Sequence, residues 1–309
     1  MNLYHLRVFL VVAEHEHITR ASEELILSQP AVTKIIQHLE QETALELIER
    51  HGRHIVLTQA GKVLHGYARR LFALEREMEE ALAVMQDVEM GEITLAANTT
   101  TGVYFLPPVV AQFRERYPQV ILRITILNSH EIIEQVMNWV LDFGLVEGDP
   151  ATLPPGMETQ VFARDELVLV VAPSHRWSSL RVIKPEMLRE KELLLREQGS
   201  GIREVIEHAL SQHHVRITPL LTLPDNEVIK QMAMSGVGAG ILSAFAVRRE
   251  LASGELVRIP LEGIDLRPQL TLVKRSDKHL SRAAQAFCSL LQHFYEDEAT
   301  ADASARHTV

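Results

Sequence analysis

The sequence predicts an α+β protein of several domains, with an N-terminal winged helix–turn–helix, a long linker helix and a C-terminal two-lobed α/β domain. Three observations predict this fold class. Residues 19–40 contain two short helical patterns joined by a tight turn, residues 60–88 contain a heptad pattern without proline, and strands alternate with helices from residue 91 onward.

The second helix of the N-terminal pair has one apolar and one polar face. Ser28 is suited to cap its first amides, and Pro30 costs little in a first turn, where its missing N–H has no helical partner. On the polar face, Gln can bond a base edge and Lys can meet a phosphate or guanine, as a recognition helix in the major groove requires. An ordinary amphipathic helix pair gives the same pattern, so both interpretations are open here. The apolar positions are Val32, Ile35, Ile36 and Leu39, and the polar ones are Gln29, Pro30, Thr33, Lys34 and Gln37.

A wing is predicted after this helix. Residues 49–58 indicate two short strands around Gly52, with Arg50 and Arg53 at the tip. Such a wing can reach the DNA backbone beside the groove, although a plain hairpin with solvated charges fits equally well. The residues assigned to DNA contact are Thr19, Ser28, Gln29, Pro30, Thr33, Lys34, Gln37, Arg50, Arg53 and Thr58.

The linker helix carries apolar residues alternately four and three positions apart, which is a heptad seam. The seam predicts pairing with a second copy, which would present two recognition helices to two half-sites. A single helix packed on its own body is the alternative. The seam consists of Ala60, Leu64, Tyr67, Leu71, Leu74, Met78, Ala81, Met85 and Val88.

Composition bounds the functional class. The chain has 309 residues, of which 46% are hydrophobic and 23% charged, as in a globular protein with several cores. Its apolar runs are too short for a bilayer and no secretory segment is present, which predicts the cytoplasm. A lone cysteine, Cys288, excludes an internal disulfide framework and a cysteine-rich metal site. The net charge of −10 counts against nonspecific polyanion binding. The first sixty residues hold five Lys and Arg against eight Glu, which counts against DNA binding, although cations matter where they cluster and six histidines lie in the same segment.

The second half contains two runs of alternating strands and helices joined by extended crossings, which predicts two lobes with a cleft between them. A polar turn is expected at 98–102 and a last helix at 280–295. The predicted boundaries are 1–58 for the DNA-binding domain, 59–90 for the linker, 91–295 for the two lobes and 296–309 for a disordered tail of small polar residues.

Three loops follow strands of the two lobes, where ligands bind in doubly wound sheets. They carry hydroxyls, amides and free helix-start N–H groups, and Arg203 adds a bidentate cation. Together they favour a small anion, either a carboxylate, a phosphate, or a sulfur or nitrogen oxyanion. Helix capping explains each loop equally well, and only their convergence on one cleft favours a ligand. The candidates are Asn98, Thr100, Thr101, Asn128, Ser129, Ser200, Gly201 and Arg203.

Over nearly all of residues 1–295 the chain resembles the LysR-type transcriptional regulators. The matching segments are Thr19–Leu25, Ser28–Thr33, Leu39-Glu40, Glu49-Arg50, Leu57–Gly61, Leu106-Pro107, Phe113–Pro118, Gly144–Gly148 and Gly236–Ser243. The resemblance implies a winged helix–turn–helix, a dimerising linker helix and a periplasmic-binding-protein-like effector domain, in a protein that often forms tetramers. It also implies that hydroxyls such as those of Thr100, Thr101 and Ser129 contact the effector. The loop 199–203 resembles the subgroup that controls carbon, sulfur or nitrogen assimilation.

Three positions depart from the family pattern. Ala44 stands where glycine is usual, Ile48 where phenylalanine is common, and Gln37 where a basic residue is frequent. The recognition helix is therefore less cationic than usual, and affinity is expected to depend more on Gln29, Lys34 and the wing.

The expected function is a sequence-specific regulator, activator or repressor, whose promoter binding a small, anionic metabolite modulates. Expected partners are promoter DNA, the effector, RNA polymerase and further copies of the chain in a homodimer or homotetramer, without cofactor, metal or membrane. The alternative is a solute-binding or enzyme-like α/β protein with a vestigial helix–turn–helix. No nucleotide-binding glycine motif, metal spacing or nucleophile elbow favours an enzyme.

Overall fold

The computed structural model describes residues 1–51, 54–84, 91–148, 153–189 and 192–306. The chain divides into two compact units, Met1–Ala83 and Val84–Val309. Within the described ranges, none of the helices has the length and apolar character needed to span a membrane.

The N-terminal unit consists of four helices and a two-stranded sheet around one apolar core. The core gathers residues from all of these elements, including Phe9, Ala21, Ile36 and Ile55. The elements are α1 (Leu3–His15), α2 (Ile18–Glu24), α3 (Gln29–Thr43), β1 (Ile48–His51), β2 (His54–Leu57) and α4 (Gln59–Val84), with β1 antiparallel to β2.

Helix α3 begins and ends as its sequence requires. The Ser28 hydroxyl accepts a hydrogen bond from the Ala31 amide at 3.3 Å, which confirms the predicted cap. Val32, Ile36 and Leu39 are buried. The helix ends at Ala44, whose φ of 54° lies in the left-handed region that favours glycine. The family departure noted at this position therefore places a side chain where a glycine would be unstrained.

The start of α4 needs a glycine. Thr58 donates its hydroxyl to the Glu46 carbonyl at 2.7 Å and accepts the Gly61 amide at 3.0 Å. A Cβ on Gly61 would lie 2.0 Å from the Leu47 carbonyl oxygen. Only glycine therefore lets the first turn of α4 pack this closely on the chain before β1.

Helix α4 has two apolar faces. Its first seam residues, Ala60 and Leu64, pack partly buried against the core of their own unit, together with Ala68 and Phe72. The later seam residues are exposed, and these are Tyr67, Leu71, Leu74 and Met78. The prediction of one continuous seam is thus wrong for its first turns. Met85 and Val88 lie outside the described residues, and the side chain of Ala81 is not described.

The C-terminal unit contains two five-stranded mixed sheets. Lobe 1 has the strand order β4-β3-β5-β12-β6 and lobe 2 the order β11-β7-β10-β8-β9. In each sheet two neighbouring strand pairs are parallel and two are antiparallel, so four of the five strands run in one direction. The expectation of mostly parallel sheets therefore fails only at β12 in lobe 1 and β7 in lobe 2. The chain crosses between the lobes after β6 and again before β12. The strands are β3 (Gly91–Ala97), β4 (Val120–Ile126), β5 (Phe143–Glu147), β6 (Met157–Arg164), β7 (Leu167–Val171), β8 (Leu193–Arg196), β9 (Leu221–Leu223), β10 (Ala239–Ser243), β11 (Val257–Ile259) and β12 (Gln269–Arg275).

Helices cover both faces of each sheet. In lobe 1, α5 and α10 pack on one face around Phe113 and Phe287, and α6 packs on the other around Ile132. In lobe 2, α7 and α8 take the corresponding places. The helices are α5 (Leu106–Arg116), α6 (Ser129–Met137), α7 (Gly201–Gln212), α8 (Asn226–Met234), α9 (Arg248–Ser253) and α10 (Arg282–Arg306), with a short 3-10 helix at Pro185–Arg189.

Two predictions about these helices are wrong. Residues 99–102 do not form a turn, because helical structure begins at Thr99 and passes through a π-helical segment, Thr101–Phe105, into α5. Pro107 and Pro108 have no N–H to donate, so a regular α-helical ladder cannot run through this junction. Helix α10 continues past Tyr295 to Arg306, where a disordered tail is expected from composition. Its final residues include four alanines and neither glycine nor proline, which favours a helix.

Candidate functional site

The polar face of α3 lines a groove in the N-terminal unit. The groove has a volume of about 550 Å³ and lies between α2, α3 and the second strand of the wing. It brings together six of the ten residues assigned to DNA contact, namely Thr19, Gln29, Pro30, Thr33, Lys34 and Gln37. Gln29, Lys34 and Gln37 are exposed, so their polar groups are accessible from solvent.

The other four assigned residues are placed differently. The hydroxyls of Ser28 and Thr58 are engaged in caps at the starts of α3 and α4. The structure therefore gives these two hydroxyls a role in the fold. Arg50 lies on β1, where its side chain is not described, and Arg53 lies outside the described residues.

Four residues that line the groove were absent from the assigned set, and two of them are histidines. His17 caps α2 through Nδ1, which accepts the Thr19 amide at 3.2 Å, and its ring meets the ring of His54 edge-on at 6.1 Å. His54 starts β2. Both line the groove beside Lys34, so this face carries two imidazole rings next to its lysine. His17 and His54 are 37 positions apart in the sequence, so a reading of local patterns could not predict that their rings would be in contact.

The three predicted loops of the C-terminal unit converge at one cleft between the lobes. A Cβ on Gly201 would lie 2.4 Å from the Glu147 carbonyl oxygen and 2.7 Å from Ser129 Oγ. The His130 amide donates to the Gly199 carbonyl at 3.1 Å. The first turn of α7 in lobe 2 therefore packs directly on the ends of β5 and α6 in lobe 1.

The starts of α6 and α7 differ at this cleft. Asn128 caps α6 through a reciprocal pair, in which its side chain accepts the Glu131 amide and the Glu131 carboxylate accepts the Asn128 amide. Ser200 is buried but makes no side-chain cap at α7. Capping thus accounts for Asn128, whereas the first amides of α7 have no such side-chain partner.

A chain of hydrogen bonds crosses the cleft. Arg196 donates to Asn226 Oδ1 at 3.2 Å, and Asn226 donates through Nδ2 to Thr100 Oγ1 at 3.1 Å. Thr100 in turn hydrogen-bonds Glu147. Arg196 also forms a bidentate pair with Glu197. Thr100 therefore links the two lobes through Asn226, a residue that the sequence analysis did not single out.

Arg203 does not present the cation expected of it. Its Nε donates to Glu207 at 2.7 Å and its Nη1 to the Arg196 carbonyl at 2.8 Å. The guanidinium is thus held on α7 and the end of β8. The arginine that faces Glu147 across the cleft is Arg196, and it is already paired with a carboxylate.

Two buried carboxyl groups lie in the cleft and were missed from the sequence. Glu147 ends β5, and burial together with the nearby charge of Asp165 raises its pKa to about 8, against the smaller effects of Thr100 and Arg196. Burial also raises the pKa of Asp165 to about 6, although Ser243 and the Glu166 amide hydrogen-bond it. Perturbed buried carboxyls are common at functional sites. Glu147 lies within the family-like segment Gly144–Gly148, but the local pattern assigned no role to either carboxyl.

Several polar atoms at the cleft have no hydrogen-bond partner among the described residues. Each belongs to a side chain that is at most 6% exposed. Buried polar groups are nearly always satisfied in folded proteins, so these atoms have hydrogen-bonding capacity for water or for a bound polar molecule. The atoms are Asn98 Nδ2, Thr101 Oγ1, Ser129 Oγ, Glu147 Oε1 and Asp165 Oδ2.

Family models match both units. Residues 3–62 match the bacterial regulatory helix-turn-helix protein, lysR family, and residues 86–295 match the LysR substrate binding domain. The chain belongs to the LysR family of transcriptional regulators. As a LysR-type regulator it combines a helix–turn–helix DNA-binding domain with an effector-binding domain, and its predicted fold class is confirmed.

Relatives agree with this membership. The RuBisCO operon transcriptional regulator of Allochromatium vinosum is 36% identical over 287 residues, which cover 93% of this chain and 94% of that protein. A full-length OxyR variant from Pseudomonas aeruginosa matches with a TM-score of 0.71 at 22% identity, covering 94% of this LysR-type regulator and 98% of OxyR. The regulatory domain of Synechocystis PCC6803 CcmR in complex with 2-PG matches with a TM-score of 0.60 at 26% identity, covering 66% of this chain and 97% of that domain.

Proposed function

We propose that this LysR-type regulator binds promoter DNA through the groove on α3 and that a small organic acid bound between the lobes alters that binding. For DNA, the supporting observation is the collection of six polar-face residues in one open groove. Gln29, Thr33 and Gln37 would read base edges and Lys34 would contact a phosphate or guanine. The protein would act in the cytoplasm on promoters bound by RNA polymerase, as activator or repressor and without catalysis.

The acidic group of the effector would bind at the start of α7. The first amides of that helix lack a side-chain cap and carry the positive end of the helix dipole, which favours a negative group. Ser129 Oγ is buried without a partner beside Gly201 and can donate to the same group. Because the CcmR domain was solved in complex with 2-PG, 2-PG is the first effector to test. Because the A. vinosum relative is a RuBisCO operon regulator, RuBisCO operon promoters are the first DNA targets to test besides the promoter of the protein's own gene.

Two copies would pair through the exposed part of α4. Tyr67, Leu74 and Met78 are each more than half exposed on this helix, and large apolar side chains in a heptad seam are stable when a partner covers them. A dimer, or a tetramer of two dimers, would hold two recognition helices on two half-sites.

The test is fluorescence anisotropy with the full-length protein on the DNA upstream of its own gene. Gln29→Ala should weaken specific binding by about 1–3 kcal/mol without loss of fold. Gln41→Ala is the matched control, because Gln41 is exposed on α3 but does not line the groove. Unchanged promoter affinity in Gln29→Ala would remove this residue from the interface.

The acid arm of the same experiment adds 2-PG and other small acids to the protein–DNA complex. A change in affinity or in the size of the DNA footprint is expected for one acid, and Ser129→Ala should weaken that response. Ser235→Ala serves as control, since its exposed hydroxyl bonds within its own helix. A response that survives Ser129→Ala unaltered would place the acid elsewhere.

A further inference from the structure

The unpartnered atoms of the cleft include hydrogen-bond acceptors as well as donors. Asn98 Nδ2 can only donate, and the hydroxyls of Thr101 and Ser129 can do either. Glu147 Oε1 and Asp165 Oδ2 belong to carboxyl groups, which accept when they are ionised and can also donate when they are protonated. An acid group alone, being an acceptor, could satisfy the donors, including a protonated Glu147, but would leave the Asp165 oxygen unmatched once Asp165 is ionised.

The two carboxyl groups come from neighbouring places in lobe 1. Strand β12 lies between β5 and β6, with Leu270 opposite Glu147 on one side and Ala163 on the other. The Asp165 amide donates to the Pro268 carbonyl at 3.0 Å, just where the chain crosses into lobe 2. Both carboxyls therefore stand at one end of the sheet, at the junction of the lobes.

Asp165 is fixed from lobe 2 and Glu147 from lobe 1. Ser243, at the end of β10, donates to Asp165 Oδ1 at 3.0 Å, which leaves Oδ2 as the unmatched oxygen. Thr100 hydrogen-bonds Glu147, of which Oε1 is the unmatched oxygen. Each carboxyl group is thus fixed in place by other contacts, while Glu147 Oε1 and Asp165 Oδ2 have no hydrogen-bond partner among the described residues.

We propose that this cleft selects an effector that carries hydroxyl groups in addition to its acidic group, with those hydroxyls bound by Glu147 and Asp165. The inference rests on the proposed function, since the acidic group still binds at the start of α7. Each hydroxyl donates one hydrogen bond and accepts others, so a hydroxylated acid can satisfy the carboxyl oxygens and the Asn98 amide together.

An ammonium group fits the same place less well. It donates three hydrogen bonds but accepts none, so Asn98 Nδ2 would stay unmatched. The chemical class selected is therefore a hydroxy acid and not an amino acid.

The experiment compares acids that differ only in their hydroxyls, by calorimetry and thermal shift on the full-length protein. The pairs are glycerate and propionate, tartrate and succinate, and gluconate and hexanoate, with aspartate added as the amino-acid analogue of succinate. In at least one pair the hydroxylated member should bind at least about tenfold more tightly, because its absence leaves buried groups unpaired.

Variants identify the residue responsible. Glu147→Met should bring the two members of that pair to similar affinity, whereas Glu147→Gln, which keeps an acceptor oxygen, should retain the preference. Glu262→Met makes the same change on an exposed side chain and should have no effect. Ser200→Ala should leave the preference between members intact.

The outcomes separate the inference from the proposed function. Equal binding of hydroxylated and plain acids would overturn the inference and leave the acid site standing, and tighter binding of aspartate than of tartrate would overturn it as well. A preference that persists in Glu147→Met would remove Glu147 from recognition. Failure of every acid to bind would overturn both proposals.

Discussion

Helices α6 and α7 begin on opposite sides of the same cleft, and only one of them is capped. Asn128 and Glu131 satisfy each other's amides at α6, whereas Ser200 leaves the first amides of α7 without a side-chain partner. Both starts carry residue types that normally cap helices. The difference shows that the same kind of loop can complete a helix in one lobe and leave the first amides of a helix without a side-chain partner in the other.

The largest predicted effect is a pH dependence of stability that the buried carboxyl group of Glu147 causes. The folded protein keeps the Glu147 proton up to about pH 8, whereas the unfolded chain loses it near the ordinary value of 4.5. The free energy of unfolding should therefore fall as pH rises between these values and level off above them. Asp165 should add a smaller fall between its ordinary 3.8 and about 6.

Glu147→Gln removes the larger of these two contributions. At pH 9 the variant should be more stable than the wild type by a few kcal/mol, about the free energy of the pKa shift, and the two should converge near pH 5. Urea unfolding across this pH range measures the difference. A wild-type protein whose stability is flat between pH 5 and 8 would contradict the burial of this carboxyl.

Gly201→Ala should have the next largest effect, because the added Cβ would overlap the Glu147 carbonyl and Ser129 Oγ. Forcing the first turn of α7 away from lobe 1 should cost about 1–3 kcal/mol of stability and abolish the acid response. Thermal unfolding and anisotropy measure these two effects. Gly66→Ala is the control, since a Cβ there meets nothing within 4 Å. Equal behaviour of the two variants would mean that the lobes are not in close contact at α7.

A pair of alanine variants gives the smallest effects and tests the comparison most directly. Asn128→Ala should cost about 1 kcal/mol through loss of the α6 cap and should leave acid affinity unchanged. Ser200→Ala should change stability by less than about 0.5 kcal/mol and should weaken acid binding. Denaturant unfolding measures the stability of both variants and calorimetry measures their acid affinity. If Asn128→Ala weakened acid binding and Ser200→Ala lowered stability, the roles proposed for α6 and α7 would be exchanged.

The elements that the sequence predicts well are those set by local pattern. The burial of Val32, Ile36 and Leu39 on α3 and its cap at Ser28 follow from residue spacing and capping chemistry over a few positions. The groove on α3 was predictable for the same reason, since its polar residues share one face of one helix.

The cleft was predictable only in outline. Convergence of the three loops follows from the rule for strand ends, but the role of each residue depends on partners far away in the chain. Thr100 meets Asn226 across 126 positions and Asp165 meets Ser243 across 78. Arg203 illustrates the limit, because no local signal shows that Glu207 and the Arg196 carbonyl hold its guanidinium.

The buried proton of Glu147 also has a calorimetric consequence. Near neutral pH this carboxyl is largely protonated, so a ligand that requires it as a carboxylate must send that proton to the buffer. The observed heat of binding would then vary with the ionisation enthalpy of the buffer, and its slope would count the protons released. A ligand that binds without touching Glu147 would give the same heat in phosphate and in Tris.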